Sequence, residues 1–168
     1  MSPFHRPVIL DNNCISNFYY ADSLRSILSL WPPGTFKIPS RVLKEASNWR
    51  KHGKEICDVI TELAEKETIQ LVNIDDTSDT EVGCYMQLML GAPVLGAGES
   101  ESIAIAESRN YVVATDDGLA TERCKELFPS VEVITTADVL KMAKSDGLLK
   151  ESEIIQMWKL IKLKRSEE

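Results

Sequence analysis

The chain has 168 residues, 43% of them hydrophobic and 27% charged, with a net charge of −7. This length supports one sizeable core and is short for two, and the composition excludes disordered and fibrous classes. The acidic balance argues against a general nucleic-acid coat protein, whose affinity comes from Lys and Arg neutralising phosphates, but it leaves room for an acidic pocket that carries metal ions. The longest apolar runs are strand-length and "MSPFHRPVIL" has no long apolar region with a cleavage site, so neither a membrane span nor a signal peptide is expected. Cys14, Cys57, Cys84 and Cys124 are scattered without a CxxC pair, and only His5 and His52 could join them. Reduced thiols in a cytoplasmic protein are the expectation, not a zinc site or a disulfide framework.

In chain order, "RPVILD" is a short β-branched run closed by an Asp, the pattern of a buried strand that ends at a site. A helix is expected from about Cys14 to Leu30, stopped by "WPPG". "TFKIP" reads as a second strand, with Ser40 as N-cap of the helix "RVLKEASNW". Lys54 to Lys66 follows as a helix and "TIQLVNI" as a strand, and Asp79 to Leu90 reads as a further helix. "GAPVLGAG" then breaks the pattern and delivers the chain to Glu99 at a helix start. A helix to Asn110, strand "YVVAT", a helix Leu119–Leu127, strand "VEVIT", a helix Ala137–Lys144 and an amphipathic helix Glu151–Lys164 complete the order. Strands alternating with helices imply an α/β fold: three layers, α/β/α, around a mainly parallel sheet of about five strands. One domain spans residues 1–168, with 48–95 as a helical excursion and 150–168 as a C-terminal helix.

Ligands of such sheets bind beyond the carboxyl ends of the strands, and there Asp11 closes the first strand while Asp116 and Asp117 close "YVVAT". Glu99 stands in the first turn of its helix and shares a face with Ile103 and Ala106, whereas Glu101 is rotated roughly 200° away, solvated or supporting. Glu45 lies one and a half turns into the helix after "FKIP". Singly, each acid has an ordinary use as a cap, turn former or solvated charge. Gathered at strand ends without a Lys or His base nearby in sequence, they suit hard divalent cations such as Mg²⁺ or Mn²⁺.

These segments resemble the PIN-domain nucleases, which include the VapC-like ribonuclease toxins of toxin–antitoxin pairs. "VILDNNCISNF", "FKIPSRVLKEAS", "GAGESESIAIAES" and "YVVATDDGLA" match the family's acidic motifs in order, and "VEVITTADVLKMAKSDGLL" is similar to the closing strand and helix of one subgroup. The resemblance implies a Mg²⁺- or Mn²⁺-dependent endoribonuclease, a hydrolase acting on phosphodiester bonds and leaving a 5′-phosphate. It assigns Asp11, Glu45 and Glu99 to catalysis and metal binding, with the last acid at Asp117 or Asp116. Asn13, Ser16 and Thr115 are the supporting polar positions it implies. The expected partners are an RNA substrate, an antitoxin protein and a second copy of the chain in a homodimer, with no membrane. Lys37, Arg41, Lys44 and Arg50 cluster around the second motif as expected RNA contacts. Trp31, Trp49 and Trp158 are read as core or dimer packing ahead of base stacking. The C-terminal helix is read as docking on the sheet or binding a partner.

Two rival classes are weaker. A degenerate PIN-like domain would bind RNA or protein without cutting, and would need no metal. A haloacid-dehalogenase-type phosphatase needs Asp-x-Asp at the first strand, where this chain has Asp11, Asn12 and Asn13, and a phosphoryl receiver needs acids in a different order.

Overall fold

The computed structural model describes residues 4–168. Among these, β1 (Val8–Leu10), β2 (Phe36–Pro39), β3 (Gln70–Val72), β4 (Val112–Ala114) and β5 (Val133–Ile134) form one sheet in the order β3-β2-β1-β4-β5. Every pairing is parallel, with Val8 opposite Phe36 and Val112, and Leu10 opposite Ala114. The helices are α1 (Asn12–Tyr20), α2 (Leu24–Leu28), α3 (Ser40–Ser47), α4 (Gly53–Glu65), α5 (Asp79–Leu90), α6 (Ala97–Arg109), α7 (Gly118–Leu127), α8 (Thr136–Ser145) and α9 (Glu151–Ser166).

Strand pleating divides the core. Val8, Leu10, Phe36, Ile38, Val112 and Ala114 face a cluster built with α1 to α4, α8 and α9, whereas Ile9, Val72 and Val113 face α5, α6 and α7. Both faces are covered, which is why β1 is apolar without alternation and wholly buried. The result is the expected three-layer α/β/α arrangement. All the strands point the same way, so the residues that follow β1, β2 and β4 emerge along one edge.

Local departures from the sequence reading have local causes. The helix expected from Cys14 to Leu30 is two helices, because Asp22 turns into the left-handed region (φ 52) and donates to the Tyr19 carbonyl at 2.9 Å. An Asp tolerates that conformation better than most residues. Pro39 (φ −64, ψ 141) takes the cap position expected of Ser40, which becomes the first helical residue. The segment 48–95 supplies α4, α5 and an edge strand, β3, paired to β2. Trp31 is core, packed edge-on to Phe4 and Phe36 with centroids 5.1 and 5.5 Å away, while Trp49 and Trp158 pack partly buried on the same cluster. α9 packs on α1 and buries Met157 and Ile161. Among the described residues no helix is long and apolar enough to cross a membrane.

Candidate metal centre

Asp11 leaves β1 directly and caps α1. Its Oδ1 accepts from the Asn12 N–H at 2.8 Å, and its Oδ2 accepts from the Thr115 hydroxyl at 2.9 Å. The residue is 2% exposed. Burial pushes its pKa up to about 7, and the carboxylates of Glu99 and Glu45 push the same way, against the pull of Asn12 and Thr115.

Glu45 reaches the site from α3 because α6 lets it approach. Its Oε1 accepts from the Gly98 N–H at 2.9 Å, and a Cβ on Gly98 would stand 2.7 Å from its Oε2. The second glycine of "GAG" is thus a space for a carboxylate, not only a chain break. Glu99, half-buried in the first turn of α6, accepts from the Gly96 N–H at 3.1 Å. Burial raises its pKa, and the charges of Asp117 and Glu45 add to the rise. Asp117 caps α7, accepting from the Ala120 N–H at 2.8 Å, and its charge acts on Glu99.

Asp11, Glu45, Glu99 and Asp117 therefore come together at the sheet edge, each close enough to act on at least one other electrostatically. Asp116 does not aim with them. Its carboxylate accepts from Asn17 Nδ2 at 2.7 Å, from the Thr136 N–H at 2.9 Å and from the Thr136 hydroxyl, which ties the end of β4 to α1 and α8. The supporting positions divide similarly. Thr115 bridges Asp11 and the Asp117 N–H (3.2 Å), Asn13 accepts from the Asp116 N–H at 3.0 Å, and Ser16 donates to the Asn13 carbonyl. Glu101 is not solvated: it is 2% exposed and accepts from the backbone of Arg41 (3.1 Å) and Ile74 (3.2 Å). Its helix is buried on nearly every side, so rotation away from Glu99 does not lead to water.

The expected basic rim is split. Arg41 and Lys44 line a cleft of about 650 Å³ with Ser40, Tyr85 and Met86, and the Arg41 guanidinium lies over the Tyr85 ring, 5.2 Å from its centroid. Arg50 lines a separate cleft with Trp49, Lys51 and His52. Lys37 leaves the group: it is 9% exposed, bonded to Gln70 and beside Tyr111, the residue that precedes β4. Its ammonium therefore sits toward the amino-terminal edge of the sheet, opposite the acids, and burial lowers its pKa.

Oxygen donors of this kind fit a hard divalent cation, and the room that Gly98 leaves for Glu45 is part of that fit. None of the four acids is ion-paired to a Lys, Arg or His among the described residues. Nor, among the described residues, are three or more His, Cys, Asp or Glu side chains grouped closely enough to hold a metal ion as they stand. Each of the four carboxylates instead accepts from a backbone N–H. Sequence reasoning had no signal for Asn17 and Thr136, which hold Asp116, because their roles depend on α1 and α8 meeting in space.

A family model described as a PIN domain matches residues 7–163. No curated protein matches the chain. The five-stranded parallel sheet, the order of the acidic motifs and that match over most of the sequence agree: the chain belongs to the PIN-domain family, a nuclease fold.

Proposed function

We propose that the protein is a Mg²⁺- or Mn²⁺-dependent endoribonuclease that hydrolyses RNA phosphodiester bonds. The observation that carries this reading is the buried Asp11, set near Glu99 and Glu45 with no Lys, Arg or His ion-paired to it among the described residues. Such a carboxylate is stabilised by a proton or by a metal ion, and at neutral pH a divalent cation competes well for it. When bound, the metal supplies Lewis acidity to the phosphoryl oxygens and lowers the pKa of the attacking water.

The residues of the chain do the holding and orienting. Asp11, Glu45, Glu99 and Asp117 are the proposed metal ligands and catalytic residues, and Thr115 fixes one Asp11 oxygen at 2.9 Å. Asp116 instead fastens the loop that carries Asp117 to α1 and α8. Arg41 and Lys44, on the helix that presents Glu45, are the proposed phosphate contacts. A toxin role fits the same reading: a VapC-like toxin of the cytoplasm, acting as a homodimer and silenced by an antitoxin protein.

The test is RNA cleavage with Mn²⁺ and with EDTA, comparing the parent chain with Asp11→Ala and Glu99→Ala. Loss of cutting in EDTA and in both variants supports the reading. Unchanged cutting by both variants would sink it. Arrested growth on expression, relieved by a protein encoded beside it, would carry the toxin role.

A further inference from the structure

Beside the acids lies a cleft of about 710 Å³, between the start of α1, the β4–α7 turn and α9. Asp116 and Asp117 form its floor, and Trp158, Lys162 and Arg165 form its far wall. On a helix, positions 158, 162 and 165 recur at intervals of four and three, so one face of α9 presents an aromatic ring and two cations to the same opening. Arg165 lies beyond the residues matched by the family model.

Arg165 is held in place, not merely nearby. Its Nε and Nη2 both donate to Asn17 Oδ1, at 2.8 and 2.6 Å, Nη2 also reaches Ser16 Oγ at 3.3 Å, and the guanidinium lies 5.4 Å from the Tyr20 centroid. The Nδ2 of the same Asn17 donates to Asp116. A fixed guanidinium whose Nη1 makes no hydrogen bond among the described residues retains donors for an incoming anion. Lys162 is exposed and has no ion-pair partner among the described residues.

We propose that this cleft is a nucleotide subsite, in which the base of the nucleotide next to the scissile phosphate stacks on Trp158 while Lys162 and Arg165 take its phosphate. The proposal rests on the ribonuclease reading. Its location supports it: the lining residue Asp117 donates its N–H to Thr115 at 3.2 Å, and the Thr115 hydroxyl donates to Asp11 at 2.9 Å, so an occupant of the cleft is adjacent to the candidate metal centre. Its chemistry supports it too, because single-stranded nucleic acid is held by cations along the backbone and aromatic faces under the bases. The cleft of Arg41 and Tyr85 is lined by residues that follow β2 and β3 and this one by residues that follow β1 and β4, so in the strand order the two flank the end of β1, where Asp11 stands.

The experiment uses the full chain carrying Asp11→Asn, so that bound RNA is not cut, and a fluorescein-labelled oligouridylate of about eight nucleotides followed by anisotropy in Mg²⁺. Adding Lys162→Glu should weaken binding about tenfold and reduce the slope of log Kd against log salt by roughly 0.7, the value of one phosphate contact on a single strand. Trp158→Leu should weaken binding by a similar factor without changing that slope. Lys159→Glu, on α9 but outside the cleft, should change affinity by less than about twofold. Equal weakening by Lys159→Glu and Lys162→Glu, or parental affinity in Lys162→Glu, overturns the subsite; the ribonuclease reading then still stands if the chain with Asp11 intact cuts RNA. A chain with Asp11 intact that does not cut, together with no binding of the probe, overturns both.

Discussion

The two ends of α6 treat a buried acid in opposite ways. Near its first turn, Asp11 is 2% exposed, has carboxylates for neighbours, and its pKa rises to about 7. At its last turn, Arg109 meets Glu81, also 2% exposed, through Nε at 2.6 Å and Nη2 at 3.1 Å. Burial raises the Glu81 pKa as well, but Arg109 and the Asp75 N–H (2.7 Å) outweigh it, and the net shift is downward. One acid is neutralised by the chain, and the other is left for a proton or a metal. Burial alone thus does not mark a functional carboxylate; burial without a partner cation does.

The sharpest way to break this contrast is to neutralise each acid in turn. Asp11→Asn should lower Mn²⁺-dependent RNA cleavage on the order of a thousandfold, since it removes a group expected to work only when ionised. Glu81→Gln should leave cleavage by the folded protein within about threefold, because Glu81 bonds Arg109 on α6 and the Asp75 N–H between β3 and α5 and not the acids. Rates measured on both variants at saturating Mn²⁺ decide it, and a thousandfold loss from Glu81→Gln would erase the distinction between the two ends.

Stability against pH should separate the two ends next. The folded pKa of Asp11 lies above its unfolded value of 3.8, so between about pH 4 and 7 the folded state binds more protons at this site. Its contribution therefore worsens as pH rises through that window, by up to about 4 kcal/mol, and is fully unfavourable above pH 7. In EDTA, Asp11→Asn should gain stability over the parent at pH 8 and little at pH 4, and Mg²⁺ should raise the Tm of the parent more than that of the variant. Urea midpoints at the two pH values give the answer, and a constant difference between variant and parent would remove Asp11 as the titrating group. Glu81 has the opposite sign: its pKa is depressed, so its contribution is present above its unfolded pKa and lost on acidification. Glu81→Gln at pH 7 should cost about 2–3 kcal/mol, less than a fully buried pair because the Arg109 side chain is 30% exposed. A denaturation midpoint equal to that of the parent would show that the clamp contributes nothing.

What the sequence revealed of these regions follows from how far each feature reaches along the chain. β1, β4 and the small-residue helix α6 are written in contiguous runs, so the parallel sheet and the edge bearing Asp11, Glu99 and Asp117 could be placed from periodicity and strand-end logic. Lys37 could not. It sits two residues from Pro39 at the second motif, yet its amine extends back along β2 to Gln70. Adjacency in sequence says nothing about which end of a strand a long side chain follows. Glu101 failed as a solvated residue for a related reason, since its partners, the Arg41 and Ile74 amides, come from other elements. The choice between Asp116 and Asp117, open in the motif itself, depends on Asn17 and Thr136 meeting behind β4.

The smallest effect on stability belongs to Gly98, and it tests whether the acidic end of α6 is built for approach or merely tolerates it. A methyl group there would stand 2.7 Å from Glu45 Oε2, which is the far end of a flexible, partly exposed side chain and can swing aside. Gly98→Ala also removes a glycine from the first turn of α6, where alanine is the better helix former by up to about 1 kcal/mol. These two contributions oppose each other, so the unfolding midpoint should move by less than about 1 kcal/mol. Cleavage should respond differently, because Glu45 loses the Gly98 N–H that holds it at 2.9 Å and is displaced from the other acids. A fall of about tenfold in rate, with a higher Mn²⁺ concentration needed for half-maximal cutting, is the expected outcome. Full activity at the parental metal requirement would mean that Glu45 acts from more than one position, and that the glycine serves the backbone of α6 and not the carboxylate.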